Sequence, residues 1–282
     1  MGLGIVAFYS AIQLPDYSIT QLLDSIVRGV MKTWIVFVTA LIAGVWGSMA
    51  AQPQSLRIFI RSGPKTHGPG QHDYPRFLMD WTKLLTDRGA KVNGAPRFPT
   101  ADELADTDVM IIYKGDAGMV APDERALLAT YLKRGGGLVT LHDGMCSDDP
   151  DWFATIVGGA KKHGETNYSA GKVRFHFVDR SHPITAGLPD FEIDDEAFFM
   201  LRTAPGLHVL ATAPLPSTHA GEIVPQIWTY ENTLPGGQPY RSFVLMEGHH
   251  YANFSVPEFQ TLILRAVAWA GKRPVDSLTG PR

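Results

Sequence analysis

A histidine follows an apolar, strand-like segment at a point where folded proteins often present a reactive side chain. Residues 138–141 run into His142, and Gly144 follows two residues later. This spacing is typical of the sharp strand-to-helix turn called an elbow. An elbow usually presents a Ser or Cys nucleophile, whereas an imidazole serves as a metal ligand or an acid/base group. We therefore interpret His142 as a catalytic residue or a metal ligand; the alternative is a buried histidine bonded to a carbonyl.

Three more histidines and a glutamate stand in loops or near the ends of predicted strands. His72 lies in a Gly/Pro-rich loop after the first strand, and His249 follows a later strand and a glycine. Glu196 belongs to an acidic pair, and it is either a ligand or acid, or a charged residue of a sheet edge. His163 follows two lysines, so a solvated surface histidine is its alternative interpretation. Chemistry at one shared site would require all of them to converge.

Several histidines with one or two carboxylates suit Zn²⁺ or a similar divalent ion. The chain contains neither a His-Glu-x-x-His sequence nor a His-x-His pair, so the ligands would have to come from distant loops. On this hypothesis the metal ligands are His72, His142, His163 and His249.

The single cysteine limits the alternatives. One Cys cannot form an internal disulfide, a four-cysteine zinc site or an iron–sulfur cluster. Cys146 lies four residues beyond His142, whereas a thiol nucleophile is expected at the elbow itself. A Cys146–His dyad would need the base within about 2.6–3.2 Å of the thiol. We therefore do not expect Cys146 to be a nucleophile.

The elements that must position these residues follow from the spacing of apolar side chains. Strands are predicted in the first half at residues 56–60, 109–113 and 138–141. Helical spacing predicts helices at residues 74–88, 122–134 and 257–270. Further strands, several of them antiparallel or at a sheet edge, are predicted at residues 172–178, 207–211, 223–230 and 241–246.

The order strand, helix, strand, helix, strand in the first half predicts a parallel sheet with helices on both faces. We find no internal repeat and no low-complexity linker, so a single α/β domain is expected. Ligands of such sheets bind beyond the carboxyl ends of the strands, which here are marked by residues 62–63, 114–115 and 142–143.

Composition excludes several classes of protein. The chain has 282 residues, of which 45% are hydrophobic and 19% charged, so it can bury a core and is not expected to be disordered. Its net charge of −3 provides no basic surface for nucleic acid, and we expect no nucleic-acid partner.

The N-terminal region has the three parts of a secretory signal. Lys32 precedes a stretch without charged residues, at 34–49, and Ala50 and Ala51 follow it. The stretch is shorter than the roughly 20 residues of a membrane span, so we expect cleavage and no stable span afterwards. We expect residues 1–30 to be a mispredicted upstream extension, 31–51 the signal peptide starting at Met31, and 52–282 the domain. The protein is then secreted or periplasmic.

A set of short motifs runs through most of the domain in a specific order. The motifs are Lys65-Thr66, His72-Asp73, residues 135–142, 151–153 and 156–159, His163, residues 179–189, Asp195-Glu196, Gly248-His249, and residues 257–259 and 268–270. With them the chain resembles the trehalose-utilisation, or ThuA-like, proteins. That family is similar in fold to class I glutamine amidotransferases but lacks their Cys-His-Glu triad.

The resemblance implies a flavodoxin-like or class I glutamine amidotransferase-like sheet, mostly parallel, with helices on both faces and antiparallel additions in the second half. It also implies a role in carbohydrate metabolism. By motif match it places the site at His72, His142, His163, Glu196 and His249. The chain departs from the family's usual small residues at Asp143 and His250, which leaves open which member of each neighbouring pair faces the site.

We thus expect an exported enzyme, a hydrolase, lyase or isomerase, acting on a glucoside or keto-sugar derivative. His142, Glu196 and His249 are its expected catalytic residues. The residues expected to bind substrate are His72, Asp143, Trp152, His163, Tyr168 and Tyr251. The expected partner is a small-molecule carbohydrate, and a homo-oligomer is compatible with the sequence. The alternatives are a non-catalytic periplasmic carbohydrate-binding module and, less favoured, a glutamine amidotransferase.

Overall fold

The computed structural model describes residues 23–32, 54–164, 167–216 and 221–280. Residues 23–32 form a helix, α1, whose residues are all exposed. Residues Ser55–Arg282 form a compact unit of their own. Within the described ranges no helix is both long and apolar enough to cross a membrane. The predicted signal peptide lies outside these ranges except for its first two residues, Met31 and Lys32.

The described part of the chain contains twelve strands and, after α1, five further α-helices. The strands are β1 (Arg57–Arg61), β2 (Lys91–Ala95), β3 (Val109–Ile112), β4 (Gly137–Leu141), β5 (Gly159–Ala160), β6 (Tyr168–Arg174), β7 (His176–Phe177), β8 (Glu192–Phe198), β9 (Arg202–Thr203), β10 (His208–Pro214), β11 (Ile223–Asn232) and β12 (Tyr240–Leu245). The helices are α2 (Tyr74–Asp87), α3 (Ala101–Ala105), α4 (Pro122–Lys133), α5 (Pro150–Val157) and α6 (Pro257–Ala270).

Eight strands form the central sheet in the order β2-β1-β3-β4-β12-β11-β10-β7. The strands from β2 to β12 in this order are parallel, and β11, β10 and β7 extend the sheet in antiparallel fashion. Two small sheets accompany it, β5 with β9 and β6 with β8. The predicted fold class, mostly parallel with antiparallel additions in the second half, is confirmed.

The two faces of the central sheet bury separate cores. Helices α2 and α6 pack on one face, against side chains such as Ile111, and α3, α4 and α5 pack on the other, against its neighbour Met110. In α2 the buried residues Phe77, Trp81 and Leu85 recur every four positions, as an apolar helix face requires. Helices therefore cover both faces, as predicted, and loops carry the polar residues at the strand ends.

Some elements differ from the sequence prediction. Strand β2 and helix α3 were not expected between α2 and β3, because β2 is an edge strand with few apolar residues. The predicted strand at 172–178 is two strands: β6 pairs with β8, whereas β7 joins the central sheet. Strand β12, predicted as a further strand without a stated orientation, lies in the centre of the sheet, parallel to β4.

Candidate functional site

Four of the sequence-predicted site residues converge beyond the carboxyl ends of the parallel strands. One ligand-type atom from each of His72, His142, Glu196 and His249 lies within 4.8 Å of the other three. The Nε2 atoms of His72 and His142 are 3.0 Å apart. Glu196 Oε2 lies 3.4 Å from His249 Nδ1 and 3.8 Å from His142 Nε2. We call these four residues the histidine–glutamate cluster.

His142 stands at the predicted elbow. It has a φ of +51° and begins the 3-10 helix His142–Met145 directly after β4. A Cβ on Gly144 would lie 2.9 Å from the carbonyl oxygen of Ile112, so this turn requires a glycine. The ring is fully buried, and its Nδ1 lies 2.9 Å from the carbonyl oxygen of Met246. Because a carbonyl only accepts, Nδ1 carries the proton, and the lone pair of Nε2 faces the cluster.

His72 is held by its backbone and by both ring nitrogens. Its N–H donates to the carbonyl oxygen of His249 at 3.0 Å, and its Nδ1 is hydrogen-bonded to Thr66 Oγ1 at 3.0 Å. Burial, and then the neighbouring His142, lower the pKa of His72 to about 3. The ring is therefore neutral at pH 7, the state that a metal ligand requires.

A buried carboxylate fixes the loop that carries His249. Asp195 accepts the backbone N–H groups of Gly248, His249 and His250, at 3.2, 3.0 and 3.3 Å. It also accepts the side-chain amide of Asn253 at 2.6 Å. Three consecutive N–H groups directed at one carboxylate form an anion-binding nest. Asp195 precedes Glu196, so one short segment of β8 supplies a member of the cluster and anchors the loop that presents another.

The charges of Glu196 and His249 stabilise each other. Burial would raise the pKa of the Glu196 carboxyl, but His249 and His142 hold it below its usual value. Burial would likewise lower the pKa of His249, but the Glu196 carboxylate raises it. The contact lacks hydrogen-bond geometry, and His249 Nδ1 is buried without a hydrogen-bond partner. A buried nitrogen without a partner is one that a bound ligand would satisfy.

The separations within the cluster fit a divalent ion. An ion with four ligands at about 2.0–2.1 Å in tetrahedral geometry places those ligands roughly 3.4 Å apart. Three of the separations between donor atoms are 3.0, 3.4 and 3.8 Å, and all of them are within 4.8 Å. The second nitrogens of His142 and His72 bind a carbonyl and a hydroxyl, and such outer contacts orient the histidines of metal sites. The residues therefore fit a Zn²⁺-type ion.

Asp143 and His163 belong to an adjoining group. Asp143 is buried, with Oδ2 3.8 Å from His72 Nδ1 and Oδ1 3.9 Å from His142 Nε2. It also accepts a hydrogen bond from the Cys146 thiol at 3.5 Å. His163 groups with Asp143 and Cys146, and its Nδ1 lies 2.8 Å from Asp116 Oδ1. Of the four expected metal ligands the structure thus brings three together, places His163 apart, and adds Glu196.

The three aromatic residues expected to bind substrate lie in different surroundings. Trp152 lies on α5 with the Arg125 guanidinium 3.7 Å above its ring. Tyr251 is buried and its hydroxyl donates to Asp80 on α2 at 2.7 Å. Tyr168 is 49% exposed and pairs in register with Phe198, whose ring stacks on His142 at 5.0 Å. Tyr168 is therefore linked to the cluster through one ring, and the substrate-binding roles of all three remain predictions.

Backbone strain concentrates at this site. Among the described residues six non-glycine positions have a positive φ, and four of them lie at or beside the site: His67, His72, Asp116 and His142. Such conformations persist only where the surrounding structure imposes them, and they are common at functional sites.

The sequence prediction did not assign roles to three residues of the site. Asp195 was noted only as the neighbour of Glu196, and most of its hydrogen-bond partners lie more than 50 residues away. Phe198 resembles any core aromatic residue. Lys161 belongs to a lysine pair typical of a surface, yet it is 5% exposed. No local pattern distinguishes these residues, because their positions depend on long-range packing.

Comparisons with known proteins agree with this architecture. The family profile described as "ThuA: Trehalose utilisation" matches residues 73–270. A ThuA-like protein from Bacteroides uniformis ATCC 8492 is structurally similar, with a TM-score of 0.59 and 17% identity over 81% of this chain and 99% of the other. A ThuA-like protein from Parabacteroides merdae ATCC 43184 has a TM-score of 0.57 and 19% identity over 77% of this chain and 90% of the other. These likenesses show the fold. No curated protein matches the chain in sequence.

Proposed function

The chain belongs to the ThuA, or trehalose utilisation, family, and from this premise we propose that it is a metal-dependent enzyme of carbohydrate metabolism. Its substrate is a glucoside or keto-sugar derivative. The family membership supports the carbohydrate, and the histidine–glutamate cluster supports the metal-dependent chemistry.

The observation that carries the proposal is the convergence of four donor atoms from four separate segments within 4.8 Å of one another. The neutral His72 imidazole and the Glu196 carboxylate would not repel a cation in this arrangement. A bound cation would replace any proton on His249 Nδ1, which has no hydrogen-bond partner. Apolar residues would fill a purely structural role at a lower cost in folding free energy, since burying polar groups without partners is destabilising.

The cluster and the neighbouring Asp143 would have different roles in the reaction. A Zn²⁺-type ion bound by the cluster would supply a Lewis acid for a carbonyl or hydroxyl oxygen of the sugar. The Asp143 carboxylate lies beside the cluster without belonging to it. Burial would raise the pKa of this carboxyl, but the neighbouring histidines lower it, and the net pKa is below the usual value. Asp143 is therefore ionised at neutral pH and can accept a proton from the carbon next to a keto group.

The geometry does not favour a glutamine amidotransferase. The elbow holds His142, and the Cys146 thiol is fully buried. Burial, and then Asp143, raise the pKa of the Cys146 thiol well above its usual value. A thiol in this state is a poor nucleophile, because the thiolate is the reactive form.

Metal analysis tests the first half of the proposal. We expect purified protein to contain about one divalent ion per chain, because the cluster forms a single site, and His142→Ala to lose it. His250→Ala is the matched control, since His250 adjoins His249 but its Nδ1 donates to the Asp194 carbonyl. Metal measured by inductively coupled plasma mass spectrometry at equal, substoichiometric levels in the wild type and His142→Ala would contradict the proposal.

Turnover tests the second half. Glucosides and 3-keto-glucosides are offered to the wild type, to chelated protein, and to the His142→Ala and His250→Ala variants. We expect turnover of at least one compound that chelation abolishes, readdition of metal restores, and His250→Ala retains. Saturable sugar binding without any turnover would instead identify a non-catalytic carbohydrate-binding module, and unchanged turnover after chelation would exclude the metal.

We also propose that the protein is exported, with cleavage after Ala51. The support is the charge-free stretch at residues 34–49 between Lys32 and the small residues Ala50 and Ala51.

A further inference from the structure

A buried lysine lies one aromatic ring away from the histidine–glutamate cluster. Lys161 is 5% exposed. Its Nζ lies 4.0 Å from the centre of the Phe198 ring and 5.8 Å from the centre of the Tyr168 ring. The same Phe198 ring stacks on His142. Phe198 and Glu196 point to the same face of β8, since they are two residues apart in a strand.

The backbone of Lys161 is anchored on both sides. Its N–H donates to the Met145 carbonyl at 3.3 Å, and its carbonyl accepts the Ser147 N–H at 2.9 Å. These bonds tie Lys161 to the segment that follows the elbow. The side chain therefore starts from a fixed point beside His142, and its position does not depend on a flexible surface loop.

The ammonium of Lys161 has no carboxylate partner among the residues that the structure describes. Lysines on the surface of the same molecule do have one: Lys83 pairs with Asp87, and Lys172 with Glu192. An exposed lysine can do without a partner, but a buried ammonium is costly unless a negative charge or hydrogen bonds compensate it. Its contact with the Phe198 ring supplies only part of that compensation.

The acidic residue that interacts with Lys161 is Asp143, and Asp143 also interacts with other groups of the site. Asp143 contacts both His72 and His142, and it accepts the Cys146 thiol. His142, His72, His163 and Lys161 all lower the pKa of this one carboxyl, so Lys161 shares it with three histidines. The positive charge of Lys161 near Asp143 and Cys146 also disfavours a second metal ion in that group.

We propose that Lys161 binds a carboxylate of the substrate, so that the preferred glucoside or keto-sugar derivative is one that also carries an acid group. This inference rests on the proposed function, because the sugar must lie beside the histidine–glutamate cluster for one end to reach Lys161. A carboxylate would balance the charge of the Lys161 ammonium, whereas a neutral hydroxyl or keto oxygen would leave most of that charge unbalanced. A lysine is a point charge suited to one carboxylate oxygen.

Calorimetric binding to metal-loaded and to chelated protein tests the proposal, with gluconate and glucuronate compared against glucose and methyl glucoside. We expect the wild type to bind an acid at least about tenfold more tightly than its neutral counterpart, the effect of one charge-assisted hydrogen bond. Lys161→Met should abolish the preference and Lys161→Arg should retain part of it. Lys162→Met, at the exposed neighbouring position, should retain it fully.

Two results would overturn the proposal. One is equal binding of acids and neutral sugars by the wild type, and the other is an undiminished acid preference in Lys161→Met. A glucuronate-dependent rise in melting temperature should occur in the wild type and be absent in Lys161→Met. Acetate is the control for a general anion effect.

The same variants separate this inference from the proposed function. Lys161→Met should retain the metal content of the wild type, and its melting temperature should not fall, because methionine fills a similar volume without an uncompensated charge. Loss of stability together with a retained acid preference would assign Lys161 a structural role and overturn the inference. Absence of metal in the wild type would count against the proposed function alone, since acid preference is also measured in chelated protein.

Discussion

The hydrogen bond from His142 Nδ1 to the Met246 carbonyl determines which nitrogen of this ring is available. Because Nδ1 must donate, Nε2 offers a lone pair at a position 3.0 Å from His72 Nε2. Met246, directly after β12, thus determines which nitrogen of the His142 ring, directly after the neighbouring β4, carries the hydrogen. The cluster depends in this way on contacts that its four members do not make themselves.

Asp195 provides the sharpest test of such an outer contact. In Asp195→Asn the amide retains one acceptor but loses the charge, and its N–H₂ group opposes the N–H donors of the loop at residues 248–250. We expect metal affinity, measured by competition with a chelator, to fall about 10–100-fold, as is typical when an outer-sphere partner of a metal ligand is lost.

Asp194→Asn is the matched control for this prediction. Asp194 is exposed and binds the same loop only through its backbone carbonyl. Its variant should keep wild-type affinity. Wild-type affinity in Asp195→Asn as well would show that the nest does not position His249.

The residues that could be predicted from the sequence are those next to local signals. His72 and His249 lie in loops, His142 at an elbow, and Glu196 in an acidic pair, so residue type and neighbours indicate them. Asp195 and Lys161 carry no such local signal. Asp195 contacts a loop 53–55 residues away, and Lys161 is buried although its sequence neighbourhood is typical of a surface. Contacts at such separations leave no local periodicity to detect.

At the scale of elements, an ion pair joins the beginnings of two parallel strands. Arg57 of β1 donates its backbone N–H to Asp108 Oδ2 at 3.0 Å and its Nε to the same oxygen at 3.2 Å, with a further contact from Nη2 to Oδ1. Asp108 immediately precedes β3. Burial would raise the pKa of Asp108, but its hydrogen bonds with Arg57 hold it below its ordinary value of 3.8.

We expect Asp108→Asn to lower the free energy of unfolding by about 1–2 kcal/mol at pH 7, since the lost hydrogen bonds involve charged groups near the surface. The folded-state pKa is the lower one, so this stabilisation is complete above the unfolded-state value. It is lost as the pH falls through the folded-state value. Urea denaturation at pH 7 and near pH 3 should show the difference from the wild type shrinking on acidification.

Asp106→Asn is the control, because Asp106 binds the same arginine from a more exposed position. An exposed ion pair is worth only about 0–1 kcal/mol. Equal effects of the two substitutions, or a pH-independent effect of Asp108→Asn, would contradict the assignment.

Elements with strong apolar patterns could be predicted from the sequence, and elements defined by their neighbours could not. Strands β3 and β4 are continuous apolar runs, and α2 and α6 have clear helical spacing. Strand β2 is half polar and exists because β1 offers it a free edge. The break between β6 and β7 arises from pairing with two different sheets, which alternation of side chains alone does not reveal.

At the scale of the whole molecule, the proposed cleavage would leave the compact unit intact. The unit begins at Ser55, four residues after Ala51, so cleavage after Ala51 would remove none of it. We expect protein recovered from the periplasm of an expressing bacterium to begin near Gln52 by N-terminal sequencing. Lys32→Glu, which removes the positive start of the signal, should reduce export. An exported protein beginning near Met1 would contradict this proposal.

The positive φ angles at His67, His72, Asp116 and His142 have a consequence for the engineering of this protein. Each left-handed backbone costs roughly 1–2 kcal/mol for a residue with a Cβ, and glycine would relieve it. Selection for heat resistance alone would therefore favour glycine at the very positions that hold His72 and His142. At these positions a gain in thermal stability would come with a loss of activity. A library of stabilising variants should therefore leave the residues at these positions unchanged.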